Sequence, residues 1–350
     1  MGRLLDGRAR PGLILAGSSR PAGGAGVRVN RWAEGVDAAL EASIVGSFTR
    51  VGLAVRQRLG GWSDLAGLDR AGRVIVISGA TSGLGRAAAG AWAAMGATVV
   101  LVARNADKAA ATCAELRAAS PSARVDFHVA DTADLGAIRR VAAALLAAYP
   151  RIDALVHNAG ALDRERAVTR DGIEQTVACH VVGPFLLTQL LRPALGAGSR
   201  VLWVSSGGLY SEPLAVDRLE MDAADYDGVT AYARAKRAQA TLSALLAPRL
   251  APVVVHAMHP GWADTPGVSR SLPTFRRIVG GALRTPAEGA DTLVWLAVDD
   301  GLPLETTGLF WHDRRPRPLH RGAGTQRSDT DAERAKLWAW GVARSGWATD

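Results

Sequence analysis

Tyr232 is followed four residues later by Lys236, in a chain that holds only four Tyr and three Lys, so the pairing is rare by chance and reads as functional. A phenol titrates at about 10 when unperturbed and is a poor base at neutral pH; a neighbouring ammonium favours the phenolate and lowers that value. A spacing of four on a helix sets both side chains on one face. The pair therefore suits the movement of a proton at a reacting oxygen. Upstream lies Ser78-Gly79-Ala80-Thr81-Ser82-Gly83-Leu84-Gly85, running straight into a helical stretch that begins at Arg86. Glycines there allow a tight turn and a close approach of backbone to a pyrophosphate, whose charge a helix N-terminus favours. Elsewhere the signals are weaker. His256 and His259 are three apart with no third ligand signalled, so no metal site is expected, and Cys113 and Cys179 read as packing residues.

The elements that must hold these residues are legible in the periodicity. From residue 73 onward, β-branched runs at 74–77, 98–102, 125–129, 154–156, 201–204, 253–257 and 309–311 alternate with Ala-rich stretches of helical length such as 84–95 and 135–149. That alternation predicts an α/β fold with a single doubly wound parallel sheet of about seven strands and helices on both faces. Residues 1–28 read as a flexible tail, 29–70 as an amphipathic helical extension, 71–313 as the main domain, and 314–350 as a C-terminal extension with a terminal helix over 331–343. In the extension, Leu40, Ile44, Phe48, Val51 and Val55 recur at mostly helical spacing. The segment 32–59 either packs on the body or makes peripheral contact with a membrane surface.

The 350 residues carry 41 basic and 33 acidic side chains, and the excess sits at the ends. Residues 1–28 hold five Arg against one Asp, residues 314–350 hold eight basic against four acidic residues, and the middle is balanced. Basic ends on a neutral body argue against nucleic-acid binding, which gathers charge on a folded face. No run reaches the roughly 20 apolar residues of a bilayer span, and the apolar run at 13–16 is too short for a secretory signal. Two Cys cannot build a disulfide framework, so a reducing, cytoplasmic location is expected, with a membrane-peripheral one as the variant.

Further blocks follow in order: His157-Asn158-Ala159-Gly160 at the end of the fourth strand, Val204-Ser205-Ser206-Gly207 at the end of the fifth, Tyr232 to Lys236 opening the next helix, and His259-Pro260-Gly261 after the sixth. With the spacing Gly79-x-x-x-Gly83-x-Gly85, they cover 73–312 and resemble the short-chain dehydrogenase/reductase superfamily. The stretch from Met258 to Val268, together with Ser205-Ser206-Gly207-Gly208 and the ending from Phe310 to Pro316, looks like one group within it, that of dehydrogenase/reductase SDR family member 12 and its bacterial relatives.

The resemblance implies a Rossmann-type fold and assigns roles to the matching residues. Tyr232 would be the general acid/base, Lys236 its electrostatic partner and a ligand of the nicotinamide ribose, and Ser206 the hydroxyl facing the substrate oxygen, with Ser205 as the other choice. Cofactor contacts would come from Ser78, Gly79, Thr81, Ser82, Gly83, Leu84, Gly85 and Arg86, from Asn158, Ala159 and Gly160, from Tyr232 and Lys236, and from Pro260, Gly261 and Thr265 at the nicotinamide end. Asp131 resembles the Asp that contacts the adenine amino group, and Ser78 stands where Thr is usual, its hydroxyl retained. The superfamily's Asn-x-x-Gly block reads His180-Val181-Val182-Gly183 here. Either His180 takes the place of the Asn that supports a water in the proton path, adding an imidazole titration at about 6.5, or the relay differs.

Arg104 stands where members selective for NADP carry a basic residue. A cation there can pair with the 2′-phosphate, and Arg86 could assist, so NADP(H) is expected over NAD(H). The expected reaction is an NADP(H)-dependent interconversion of a carbonyl and an alcohol on a small molecule, lipophilic if the Trp- and Leu-containing segment after Pro260 lines the pocket. The other reading is a nucleotide-binding scaffold or sensor with weak or no turnover; His180 favours it, whereas Tyr232, Lys236 and the Ser pair favour the enzyme. The connection 209–230, with Glu212, Glu220, Asp222, Asp225 and Asp227, is expected at the substrate rim or as a solvated surface. Relatives commonly associate through their fourth and fifth helices, so a homo-oligomer is a further expectation of the resemblance.

Overall fold

The computed structural model describes residues 31–348, so the tail expected over 1–28 lies outside the described residues. Ahead of the first strand come α1 (Arg31–Ala42), α2 (Ile44–Phe48) and α3 (Arg50–Gly60). Ser43 is extended and its hydroxyl accepts from Gly46 N, while Thr49 is extended between α2 and α3. The expected amphipathic stretch is thereby divided into three short helices. The sequence then alternates as the periodicity requires: β1 (Val74–Ser78), α4 (Gly83–Ala94), β2 (Thr98–Ala103), α5 (Ala106–Ala119), β3 (Val125–Val129), α6 (Leu135–Ala148) and β4 (Ala154–His157). The fourth helix of this domain runs through α7 (Gln175–Val177), a π-turn at Ala178–Val182, and α8 (Gly183–Leu190). After it come β5 (Arg200–Val204), α9 (Gly228–Arg249), β6 (Val254–Met258), α10 (Pro266–Ser271), α11 (Pro273–Val279), α12 (Pro286–Val298) and α13 (Leu302–Glu305). β7 (Phe310–His312), β8 (Arg315–Arg317), α14 (Ala323–Ser328) and α15 (Asp331–Ser345) complete the order.

The strands form one sheet in the order β3-β2-β1-β4-β5-β6-β7-β8, parallel from β3 to β7. Strand order reverses between β1 and β4, and ligands of doubly wound sheets bind outside the carboxyl ends of strands at such a point. The eighth strand, absent from the sequence expectation, runs antiparallel to β7. Its two-residue turn sets Asp313 and Arg314 both at φ 52°, the left-handed pair that a tight hairpin demands. Both faces of the sheet are buried, one under residues such as Ile138, Phe185 and Leu242, the other under Trp92, Leu293 and Leu296.

α15 lies across the fourth and fifth helices. Leu337 is fully buried, Trp338 meets Phe185 edge-on at 5.4 Å, and the Arg249 guanidinium stands 4.3 Å from the Trp338 ring centre. The helices expected to carry a subunit interface thus pack against the chain's own C-terminal helix.

The extension is fastened to the opposite end of the domain by charge. Buried Arg56 donates to Asp37 (2.7 Å), Glu41 (2.8 Å) and Asp313 (2.7 Å). Arg317 reaches Asp37 at 2.8 Å, and Arg284 reaches Asp313 at 2.6 Å. Desolvation makes such charges costly unless each is matched, and the matching here ties α1 and α3 to the β7–β8 turn. Trp32, Ile44, Val45 and Val51 stay exposed on the outer side of the extension. Among the described residues, no helix is long and apolar enough to cross a membrane.

Candidate active site

At the carboxyl end of β1, Gly79 adopts φ 71°, and a Cβ there would come within 2.6 Å of Ala159 Cα. Only glycine fits both demands. Asn158, at the end of β4, donates from Nδ2 to Ser78 O (3.1 Å) and Gly79 O (2.9 Å), stapling the turn to the neighbouring strand. Ser78 is buried. Its hydroxyl accepts from Asn158 N (3.2 Å) and Ala159 N (3.1 Å), so it organises the turn from beneath rather than lining the cleft above. That cleft, of about 440 Å³, is lined by the glycine turn from Gly79 through Thr81, Ser82, Gly83 and Leu84 to Gly85, and by Arg104 and Asp131 after β2 and β3. Asn158, Ala159, Gly160 and Thr265 complete the wall facing the sheet.

Arg104 follows β2 directly, is exposed, and makes no ion pair among the described residues. Asn105 caps α5 by accepting from Lys108 N at 2.8 Å, and Lys108 shares the same lining. Arg86 is placed differently from its expectation: it points away to an ion pair with Glu115 on α5 and does not line the cleft. Lys108, in the first turn of the helix after β2, and Arg270, on α10, are further cations of the lining that the sequence reading does not single out. Cys179, expected as packing, stands on the cleft wall with its sulfur 3.2 Å from the Thr132 hydroxyl, and burial pushes its thiol up.

A second cleft of about 380 Å³ shares Leu84, Asn158, Gly160 and Thr265 with the first and continues past them. Ser206, Tyr232, Lys236 and His180 line it, together with Pro260 and Gly261. Of the serine pair, Ser205 is buried and its hydroxyl donates to Lys236 O at 3.0 Å, whereas half-buried Ser206 faces Tyr232. Burial pushes the Tyr232 phenol above its ordinary value and the Ser206 hydroxyl opposes this. The expectation that Lys236 lowers that value is not met directly, because Lys236 Nζ is drawn to Val204 O (2.8 Å) and Gln239 Oε1 (3.1 Å). Gln239, one turn further along α9, was not anticipated. Burial brings the Lys236 ammonium down to about 7, with Cys179 acting in the opposite direction.

His180 sits in the π-turn, fully buried and edge-on to Tyr232 with ring centres 5.3 Å apart. Its Nε2 lies 2.8 Å from Ala161 O and 3.3 Å from Ala161 N, and its Nδ1 has no partner among the described residues. A Cβ at Gly160 would collide with this imidazole, so the glycine makes room for it. Burial and, secondarily, the Lys236 charge hold His180 down at about 3, overturning the expected titration near neutrality.

The rim of the second cleft is apolar, formed by Trp262, Val268, Leu272 and Phe275. The connection 209–230 reaches this cleft through Ser211 and Val229, but its acidic residues do not. Glu212 pairs with Arg234, Glu220 with Arg344, and Asp227 caps α9; Asp222 and Asp225 also lie outside the lining. His256 and His259 are spoken for within the fold: His256 Nε2 meets Pro303 O at 3.0 Å, and His259 Nδ1 accepts from Gly207 N at 3.1 Å.

Comparison with known proteins agrees with this architecture. A family model described as short chain dehydrogenase matches residues 73–216. Dehydrogenase/reductase SDR family member 12 of Homo sapiens is 35% identical over 268 residues, covering 76% of this chain and 84% of that protein. A Streptomyces protein assigned as a daunorubicin C-13 ketoreductase is 39% identical over 250 residues, covering 71% of this chain and 85% of its own. Among solved structures, a protein from Escherichia coli CFT073 assigned as a short chain dehydrogenase and complexed with NADPH is 25% identical, with a TM-score of 0.58 over 72% of this chain and 100% of that one. Taken with the sheet order, the stapled glycine turn and the Tyr232–Lys236 helix, these likenesses show that the chain belongs to the short-chain dehydrogenase/reductase family of oxidoreductases.

Proposed function

We propose that this protein is an NADP(H)-dependent oxidoreductase that interconverts a lipophilic carbonyl and its alcohol, with Tyr232 as the general acid/base. The observation that carries the reading is the continuity of the two clefts: one runs from Arg104 and Lys108 to the glycine turn, and the other carries Ser206, Tyr232 and Lys236 under an apolar rim. The residues fit a dinucleotide. Gly79 keeps the turn free of side chains, the N-terminus of α4 opens onto the cleft, and Arg104 and Lys108 offer two cations where a 2′-phosphate would need them. The bound nicotinamide would supply or accept the hydride.

In the reducing direction the substrate oxygen accepts hydrogen bonds from Ser206 Oγ and Tyr232 Oη. The Tyr232 proton passes to that oxygen as negative charge develops on it, leaving a phenolate. Lys236, at about 7, can be an ammonium near neutrality and stabilises the phenolate from a cleft-lining position, its Nζ 5.4 Å from the Tyr232 ring centre. The neutral His180 imidazole, whose Nδ1 has no partner among the described residues, can hydrogen-bond a water beside this pair and so help to restore the Tyr232 proton from solvent. The Trp262, Val268, Leu272 and Phe275 rim favours an apolar substrate and excludes bulk water, and the ketoreductase assignment of the Streptomyces relative points the same way.

The test is a panel of aromatic and aliphatic ketones followed by absorbance of NADPH, with Tyr232→Phe as control. The expected outcome is turnover of at least one apolar ketone by the wild type and loss of about 10³-fold or more in the variant, with NADPH affinity retained. Equal turnover in Tyr232→Phe would remove Tyr232 from the mechanism.

A further inference from the structure

Phe48 is the last residue of α2, outside the strand-and-helix unit that carries the motifs, yet it is only 3% exposed. Its ring stands edge-on to His259, with centres 4.3 Å apart, and also meets His312 at 5.2 Å and Trp262 at 5.8 Å. Its carbonyl accepts from Trp262 N at 2.7 Å. His259 and Trp262 both line the substrate cleft. His259 Nδ1 accepts from the amide of Gly207, the residue after Ser206, and a Cβ at Gly207 would come within 2.8 Å of Phe48 Cε2.

Among the described residues the orientation of His259 is not fixed by a second hydrogen bond, because its buried Nε2 has no partner there. Packing must fix it, and the packing is supplied by Phe48 at one edge and by the stacked ring of His312, 5.0 Å away. Phe48 in turn cannot drift. The carbonyls on either side of it, Ser47 O and Thr49 O, are held by buried Arg284 at 3.0 and 3.3 Å, and Arg56 also donates to Ser47 O at 3.2 Å. Asp313 joins those two guanidinium groups.

We infer that Phe48 is a positioning residue of the substrate site: it wedges His259 so that the imidazole holds the Gly207 amide, and thereby fixes the turn that aims the Ser206 hydroxyl at Tyr232. The extension before β1 then backs the wall of the site, behind His259 and Trp262. The catalytic consequence rests on the roles proposed above for Ser206 and Tyr232; the effect on the turn does not.

Hydrogen exchange on the full chain separates the two. In Phe48→Ala, amides 205–209 should exchange about tenfold faster or more, while those of the glycine turn at 78–85 stay within about twofold of wild type. Phe48→Leu, which restores apolar volume, should recover most of the protection. His259→Leu, which removes the acceptor for Gly207, should give the same local loss, and adding Phe48→Ala to it should change little, since the two act through one path. Unchanged exchange at 205–209 in Phe48→Ala, or an equal loosening of the whole domain, would overturn the inference. With a ketone that the wild type reduces, Phe48→Ala should lower kcat by about tenfold while the Kd for NADPH holds within about twofold. Faster exchange with unchanged kcat would overturn the catalytic consequence. If no ketone is reduced by the wild type, the proposed reaction fails and the exchange arm alone decides the role of Phe48.

Discussion

Asp313→Asn is the sharpest test of how the extension is held. Asp313 is 1% exposed and receives Arg284 at 2.6 and 2.9 Å and Arg56 at 2.7 Å. Asn accepts the left-handed φ of 52° as readily as Asp does, so the hairpin geometry is kept and the charge alone is removed. Arg56 would retain Asp37 and Glu41. Arg284 would retain the carbonyls of Ser47, Thr49 and Pro260 and at most the amide oxygen of Asn, all neutral acceptors, and so becomes the unmatched buried charge. Breaking a buried pair in this way costs about 3–5 kcal/mol, and with one of the two guanidinium groups still compensated the lower end applies, about 3 kcal/mol. For a domain of this size that corresponds to a fall in Tm of about 5 °C.

The pH dependence follows from the same contacts. Burial alone would raise the Asp313 carboxyl, but His312, Arg284 and Arg56 outweigh it and hold the group well below the usual carboxylate range. A depressed folded value means that the stabilisation is complete above the unfolded value of about 4 and is lost as pH falls below it. The gap between wild type and Asp313→Asn in urea unfolding should therefore be constant from pH 6 to 8 and shrink in acid. A difference below about 0.5 kcal/mol at pH 7, or one that widens in acid, would refute the reasoning.

Three outcomes concern the chemistry. Arg104→Ala should weaken NADPH binding by about 10- to 100-fold and leave NADH unchanged, since a charge-assisted contact is lost; equal wild-type affinities for both cofactors, measured by fluorescence titration, would contradict the assignment. Lys236 lies at about 7, so its ammonium is present below and lost above that value; carbonyl reduction should decline as pH rises through about 7, and a flat pH-rate profile between 6 and 9 would show that the charge is not needed. His180, held at about 3, stays neutral across this range; profiles of wild type and His180→Asn should therefore have the same shape between pH 5 and 8, and an inflection near 6.5 lost in the variant would show that the buried imidazole titrates after all.

The amino-acid sequence alone makes the alternation from β1 to β7 legible, because strand periodicity, glycine turns and caps are local, whereas β8 and the division of the extension into α1, α2 and α3 are not. It also points to residues that could meet at the sheet's switch point: Gly79 to Gly85, Asn158 and Ser206 follow strand ends, Tyr232 and Lys236 lie in the second and third turns of α9, and β-strands of fixed register bring these places together. What it did not determine depends on contacts between distant residues. The choice between Ser205 and Ser206 turns on which hydroxyl is consumed by the backbone of α9. Arg86 and Arg104 are both cations beside the same turn, and only the placement of Glu115 on α5 draws Arg86 away. The tether of Lys236 to Val204 and Gln239, and the depth at which His180 is buried, set their protonation, and burial is a property of the packed whole. Most non-local of all, Arg56 finds Asp313 across 257 residues of chain. A charge pattern in one dimension carries no record of such a partner, because the free energy that selects it comes from removing both groups from water together.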